Sequence, residues 1–167
     1  MLIRREVPGD VDVVRAVTEA AFAFRPRGEW QLVDWLRADV GWIPALSLVA
    51  EVSGVVVGHV VCTRATVDGV PALGLGPLSV LPAHQGVGVG KALVHTALGA
   101  ADALGEAVVV LLGDHGYYSR FGFRLAAEFG IVPPVSEWEP YFQARPLSGY
   151  GGGVRGVFRY AEPFGRL

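Results

Sequence analysis

The stretch Leu73–Val94, LGLGPLSVLPAHQGVGVGKALV, constrains this chain more than any other. Its apolar run (Leu75, Leu78, Val80, Leu81) predicts a buried strand that stops at Pro82. Glycines stand at 86, 88 and 90, Lys91 follows, and Ala92-Leu93-Val94 opens a helix. A helix that begins on residues without Cβ leaves its first amides bare at the positive end of its dipole. An anion, most simply a phosphate, sits against such amides, and only glycine lets it come that close. The plainer alternative is a tight strand-to-helix turn with no ligand. A turn needs one or two glycines. Three at alternate positions, beside Gln85 and Lys91, favour the ligand.

Two phosphate motifs fail on this stretch. A Walker P-loop needs Gly-x-x-x-x-Gly-Lys and then Ser or Thr, but Gln85 stands five before Gly90 and Ala92 follows the lysine. A dinucleotide fingerprint needs G-x-G-x-x-G. Counted from Gly86 it ends on Lys91, and from Gly88 on Leu93. A nucleotide-phosphate hydrolase is therefore disfavoured. The pattern that fits is Gln-x-x-Gly-x-Gly after a strand.

Composition narrows the rest. With 167 residues, 51% hydrophobic and 18% charged, the chain predicts one globular domain, 1–167, with a single substantial core. Fourteen basic against sixteen acidic side chains make no basic field for nucleic acid. The single cysteine, Cys62, forms no internal disulfide and supplies no cysteine-rich metal site. No apolar run reaches membrane-span length, and the N-terminal MLIRREVPGD turns charged at once. A cytoplasmic protein without membrane, metal or nucleic-acid partners is expected.

In chain order, Leu2–Arg5 predicts a strand. Asp10 is placed to cap a helix over about 10–24, with Val13, Val17, Ala20, Ala21 and Phe24 at helical spacing. A second helix, about 29–38, is apolar over much of its circumference (Trp30, Leu32, Val33, Trp35, Leu36), so it is covered on two sides, lines a pocket or makes a homodimer contact. Strands follow at about 46–52, 55–66 and 72–81, joined by Ser53-Gly54 and Asp68-Gly69 turns. Gly74, Gly76 and Pro77 inside the third of these predict a bulge or splay. A helix over about 88–104 buries Leu93, Ala97, Ala100, Ala101 and Leu104, with Gly105 as C-cap. Ala107–Leu112 predicts a parallel strand after a crossover. Residues 126–140 read as a long loop, and strands at 141–147 and 154–160 close the sheet.

The Gln85–Lys91 turn resembles the acyl-CoA-binding motif of the GNAT superfamily of N-acetyltransferases. Tyr117-Tyr118-Ser119-Arg120-Phe121-Gly122-Phe123 resembles the segment of that family in which a tyrosine precedes a Gly-Phe turn by four residues, the spacing of Tyr118 to Gly122. Leu112-Gly113-Asp114 before the paired tyrosines is similar to one bacterial subgroup of predicted acetyltransferases. The two motifs stand in the family's order, and the resemblance covers essentially the whole chain.

The resemblance implies an α/β (α+β) GNAT fold: a central, mostly antiparallel sheet of about seven strands, splayed between strands four and five, with about four helices. It implies acetyl transfer from acetyl-CoA to a primary amine, small-molecule or peptide, by direct attack in a ternary complex. The alternative is a non-catalytic acyl-CoA-binding module. By the same resemblance the backbone of Leu78, Ser79 and Val80 pairs with the pantetheine arm. Gln85, Gly86, Val87, Gly88, Val89, Gly90 and Lys91 hold the diphosphate, although Lys91 is equally a solvent-facing helix lysine. Tyr118 is the candidate general acid, a phenol that stays protonated at neutral pH. Its alternative is a buried tyrosine satisfied by a carbonyl, and Tyr117 is read as packing. No carboxylate lies on the central strand, so His59, His84, His115, Glu51 and Asp114 stand as substitutes for a base, Asp114 equally as a helix cap. Trp30, Trp35, Trp138 and Tyr141 are candidates for the acceptor pocket or for core.

Overall fold

The computed structural model describes residues 1–167. Its strands are β1 (Leu2–Arg5), β2 (Ser47–Val52), β3 (Val55–Val67), β4 (Val70–Val80), β5 (Val108–Leu112), β6 (Arg124–Leu125), β7 (Ile131–Val132), β8 (Phe142–Pro146) and β9 (Gly156–Arg159). The helices are α1 (Val11–Ala21), α2 (Glu29–Arg37), α3 (Val89–Ala103) and the single turn α4 (His115–Tyr118). The strands run in the order β1-β2-β3-β4-β5-β8-β6, with β9 beside β3 and β7 beside β9. Only β4–β5 and β7–β9 are parallel.

Alternation along β3 sets the two layers. Val60 and Cys62 point into a core shared with Leu93, Val94, Ala97, Leu98 and Ala101 of α3. Val61 points the other way, onto Leu32 and Leu36 of α2. Val49 and Val56 pack with Val14, Val17 and Val33 of α1 and α2. Fully burying a leucine such as Leu93 contributes about 2 kcal/mol. A Cβ on Gly58 would lie 3.0 Å from both Val89 and Leu93, so this glycine lets α3 settle closely on the sheet.

The expected elements are present, with corrections. Helix α1 stops at Ala21, so Phe24 is 80% exposed rather than in the buried stripe. Asp10 does not cap it: its carboxylate accepts from Val7 N–H at 2.8 Å and pairs with Arg4 at 2.7 Å. The stripe of α3 is Val89, Leu93, Val94, Ala97, Leu98 and Ala101, and Leu104 is half exposed. Gly105 follows the helix with φ +76°, as a C-terminal glycine should. The expected loop 126–140 carries β7 and two 3-10 turns, Ala126–Phe129 and Ser136–Tyr141. β6 and β7 raise the strand count above seven. Helix α2 is covered on one side by α1 and on another by Phe164, which accounts for its apolar circumference within the chain.

Candidate active site

The bulge falls at Gly76-Pro77. Cys62 pairs with Leu75 and Val60 with Leu78, so one residue of β3 faces two of β4. β4 and β5 pair only at Leu73↔Val109 and Gly74↔Val110. Beyond Gly74 the strands part, and the edge of β4 facing the gap has no partner strand.

At the end of β4 the chain turns through Pro82–His84 into α3. Gly88 is the N-cap, with φ +96° and no side-chain cap, and Gly86 has φ +74°. None of the six amides from Gly86 to Lys91 donates to a backbone acceptor, and Ala92 N–H is the first that does, to Gly88 O at 3.0 Å. A Cβ on Gly86 or Gly88 would meet nothing within 4 Å. The backbone at Gly86 and Gly88 therefore borders open space at the positive end of a fifteen-residue helix. Lys91, the only lysine in the chain, is exposed beside them. Gln85 Nε2 donates to Val80 O at 3.0 Å and braces the turn against β4. A cavity of about 370 Å³ lies here, walled by Leu78, Val80, Gly90, Tyr117 and Phe24.

The tyrosine pair sits across the gap. Asp114 accepts from Gly116 N–H and Tyr117 N–H and so caps α4. The Tyr118 ring crosses Gly113, where a Cβ would lie 2.6 Å from it, and meets Phe123 edge-on at 5.8 Å. Burial, then the neighbouring Tyr117 and Cys62, push its phenol well above the usual tyrosine range. Tyr117 packs against the core and meets Tyr118 and Phe121 edge-on, and its hydroxyl lies 2.7 Å from where a Gly90 Cβ would stand, in the cavity at the turn.

On the far side of β4 is a larger cleft of about 610 Å³. Leu75, Gly76 and Pro77 of the bulge and Leu112 at the end of β5 form its floor. Phe22, Trp138, Tyr160 and Phe164 form its walls, and Arg27 and Glu29 its polar part. Phe22 lies on both cavities. Tyr160 and Phe164 stack at 4.3 Å, and burial pushes the Tyr160 phenol up.

The acetyltransferase (GNAT) domain model matches residues 44–125, the span holding the bulge, the turn and both tyrosines. The uncharacterized N-acetyltransferase YhbS of Escherichia coli (strain K12) is 34% identical over 170 residues, covering 100% of both chains. The chain belongs to the GNAT acetyltransferase family. A crystal structure of GNAT family N-acetyltransferase YhbS from Escherichia coli in complex with CoA matches 99% of this chain and 92% of that one at TM-score 0.92 and 35% identity. A GNAT family acetyltransferase from Brucella melitensis in complex with acetyl-CoA matches 98% and 97% at TM-score 0.82 and 38% identity.

Within this GNAT chain the substitutes for a base are dispersed. Asp114 caps α4, Glu51 pairs with Arg4 at 2.9 Å, and His115 Nδ1 lies 3.2 Å from Gln143 Oε1. His84 stays in the turn after β4. His59 is fully buried, its Nε2 2.9 Å from Ser47 Oγ and 3.3 Å from Glu6 Oε2. Glu6, 5% exposed at its side chain, also accepts from Ser47 Oγ and pairs with Arg37. Burial alone would raise its carboxyl. Hydrogen bonds from His59 and Ser47 and the charges of His59 and Arg37 hold it below the usual range. Neither Glu6 nor His59 lines the large cleft; Glu6, Arg37 and Ser47 line a separate cavity of about 300 Å³. Of the four aromatic candidates only Trp138 is in the large cleft. Trp35 lies under Arg166, Trp30 borders another groove and Tyr141 is 57% exposed. Sequence reasoning missed Phe22, Arg27, Glu29, Tyr160 and Phe164. Only Glu29 left a signal, an acidic side chain in the first turn of a predicted helix. Cys62 is a core residue, its thiol pushed up to about 12 by burial.

Proposed function

We propose that this GNAT acetyltransferase moves an acetyl group from acetyl-CoA to a primary amine by direct attack in a ternary complex. The six unpartnered amides from Gly86 to Lys91, opening beside the β4–β5 gap, carry the reading. They bind the diphosphate, Lys91 adds a screening charge, and the free edge of β4 at Leu78, Ser79 and Val80 pairs with the pantetheine amides. Acetyl-CoA supplies the acetyl group as a thioester: the C–N bond to the amine forms, the C–S bond breaks, and sulfur leaves with the electron pair. Tyr118 holds the proton for that sulfur. A phenol kept protonated by burial is suited to donate to a thiolate. The amine enters from the large cleft, and floor residues Gly76 and Pro77 bring it to the gap. Its proton passes to solvent water in the cleft, whose one carboxylate side chain is Glu29.

Calorimetry with CoA, followed by thiol release from acetyl-CoA over an amine library, tests this. Binding with a one-to-one stoichiometry and acceptor-dependent thiol release are expected. Tight CoA binding with no release for any amine would replace catalysis by the binding-module alternative.

A further inference from the structure

The cleft on the far side of β4 has a composition that selects its ligand. We propose that the acceptor is a small amine carrying an aromatic body, and not a polyamine or a protein lysine; this rests on the transfer reading above. At about 610 Å³ the cleft falls in the size range of small-molecule sites. Four aromatic side chains stand around it. Phe164 stacks on Tyr160 at 4.3 Å and 25°, and Trp138 meets Tyr160 edge-on at 6.5 Å. These rings pack on one another and give the cleft an aromatic wall against which a flat ring can pack. Its charges do not gather a polycation. Glu29 is the one carboxylate side chain lining the cleft, and its Oε2 already accepts from Arg27 N–H at 2.8 Å. The Arg27 guanidinium lines the same cleft and makes no ion pair. Among the lining side chains, a spermidine or a lysine-rich segment would meet one cation for one carboxylate. An aromatic amine buries its ring and presents a single ammonium to Glu29.

Thiol release from acetyl-CoA with phenethylamine, propylamine, spermidine and a lysine-containing peptide tests the class. Burying the ring is expected to raise kcat/KM for phenethylamine about 10- to 100-fold over propylamine. In Trp138→Ala that ratio should narrow about tenfold, with the heat of CoA binding retained as the check on folding. Spermidine or the peptide as the fastest acceptor would overturn the proposal and leave the transfer reading standing. If no amine releases thiol, the transfer reading fails and tryptophan fluorescence decides this one. Quenching by phenethylamine in the CoA-loaded protein that is lost in Trp138→Phe supports an aromatic-amine site. No quenching overturns it.

Discussion

The two cavities that share Phe22 as a lining residue are built in opposite ways. The one at the turn into α3 takes its amides from six consecutive residues, Gly86–Lys91, whose presentation depends on backbone conformation. The cleft on the other side takes Phe22 and Glu29 from the α1–α2 region, Pro77 from the bulge, Trp138 from a 3-10 turn and Phe164 from the C-terminal turn. The amides of the first all lie within residues 44–125, which match the family's model, although Phe22 and Phe24 of its wall do not. The walls of the second, Phe22, Trp138, Tyr160 and Phe164, all lie outside that span. A group that must grip one invariable phosphate carrier is written locally. A group that chooses an acceptor is assembled from whatever the fold brings alongside.

The contrast can be broken most sharply at the turn. Gly88→Val places a β-branched residue at φ +96° and fills the space a diphosphate needs, so CoA affinity should fall about 100-fold or more. Calorimetry reads this. An unchanged affinity would mean that the turn is only a turn. Next comes the tyrosine that ends α4. Tyr118→Phe should lower kcat about 30-fold while leaving the KM for acetyl-CoA within twofold. Because burial raises the Tyr118 phenol, the wild-type rate should show no loss from its ionisation up to about pH 10. A fall near pH 8 would assign the acid elsewhere.

A third test falls on the helical layer that supports the cleft. Glu6→Gln breaks the ion pair with Arg37 beneath α2 and should cost about 2 kcal/mol at pH 7, read from urea midpoints. The sign with pH follows from the lowered carboxyl. Wild type holds this stability above the unfolded value of about 4.3 and loses it as pH falls through the lower folded value. The variant's deficit should therefore shrink below about pH 4; a constant deficit would show that geometry, and not charge, is at stake. The smallest effect is expected at Lys91→Gln, an exposed charge: CoA affinity about threefold weaker at low salt and near wild type in 0.5 M salt.

Legibility in the sequence followed the same division. The turn, α3 and the strand after it were readable because glycine punctuation, a 3.6-residue stripe and a β-branched run are contiguous. The bulge was readable from Gly74, Gly76 and Pro77. The capping role of Asp114 was readable as an alternative, because it precedes its helix by one residue. Phe24 was misassigned because its spacing continues the α1 stripe, whereas the helix ends three residues earlier. The Glu6–Ser47–His59 cluster was invisible: its members come from three segments, and no local pattern marks a carboxylate that finds its partners only in the folded sheet. The elements within 126–141 are too short to carry a period, and Pro133-Pro134 reads as loop whatever surrounds it.

Lysine 91 has one more consequence. Every other basic side chain among the fourteen lysines and arginines is an arginine, a group that acyl donors leave alone. A catalyst that handles activated acetyl groups thus exposes a single side-chain amine to its own reagent. That amine stands at the mouth of the donor site, where modifying it would cancel the charge that helps hold the reagent in place.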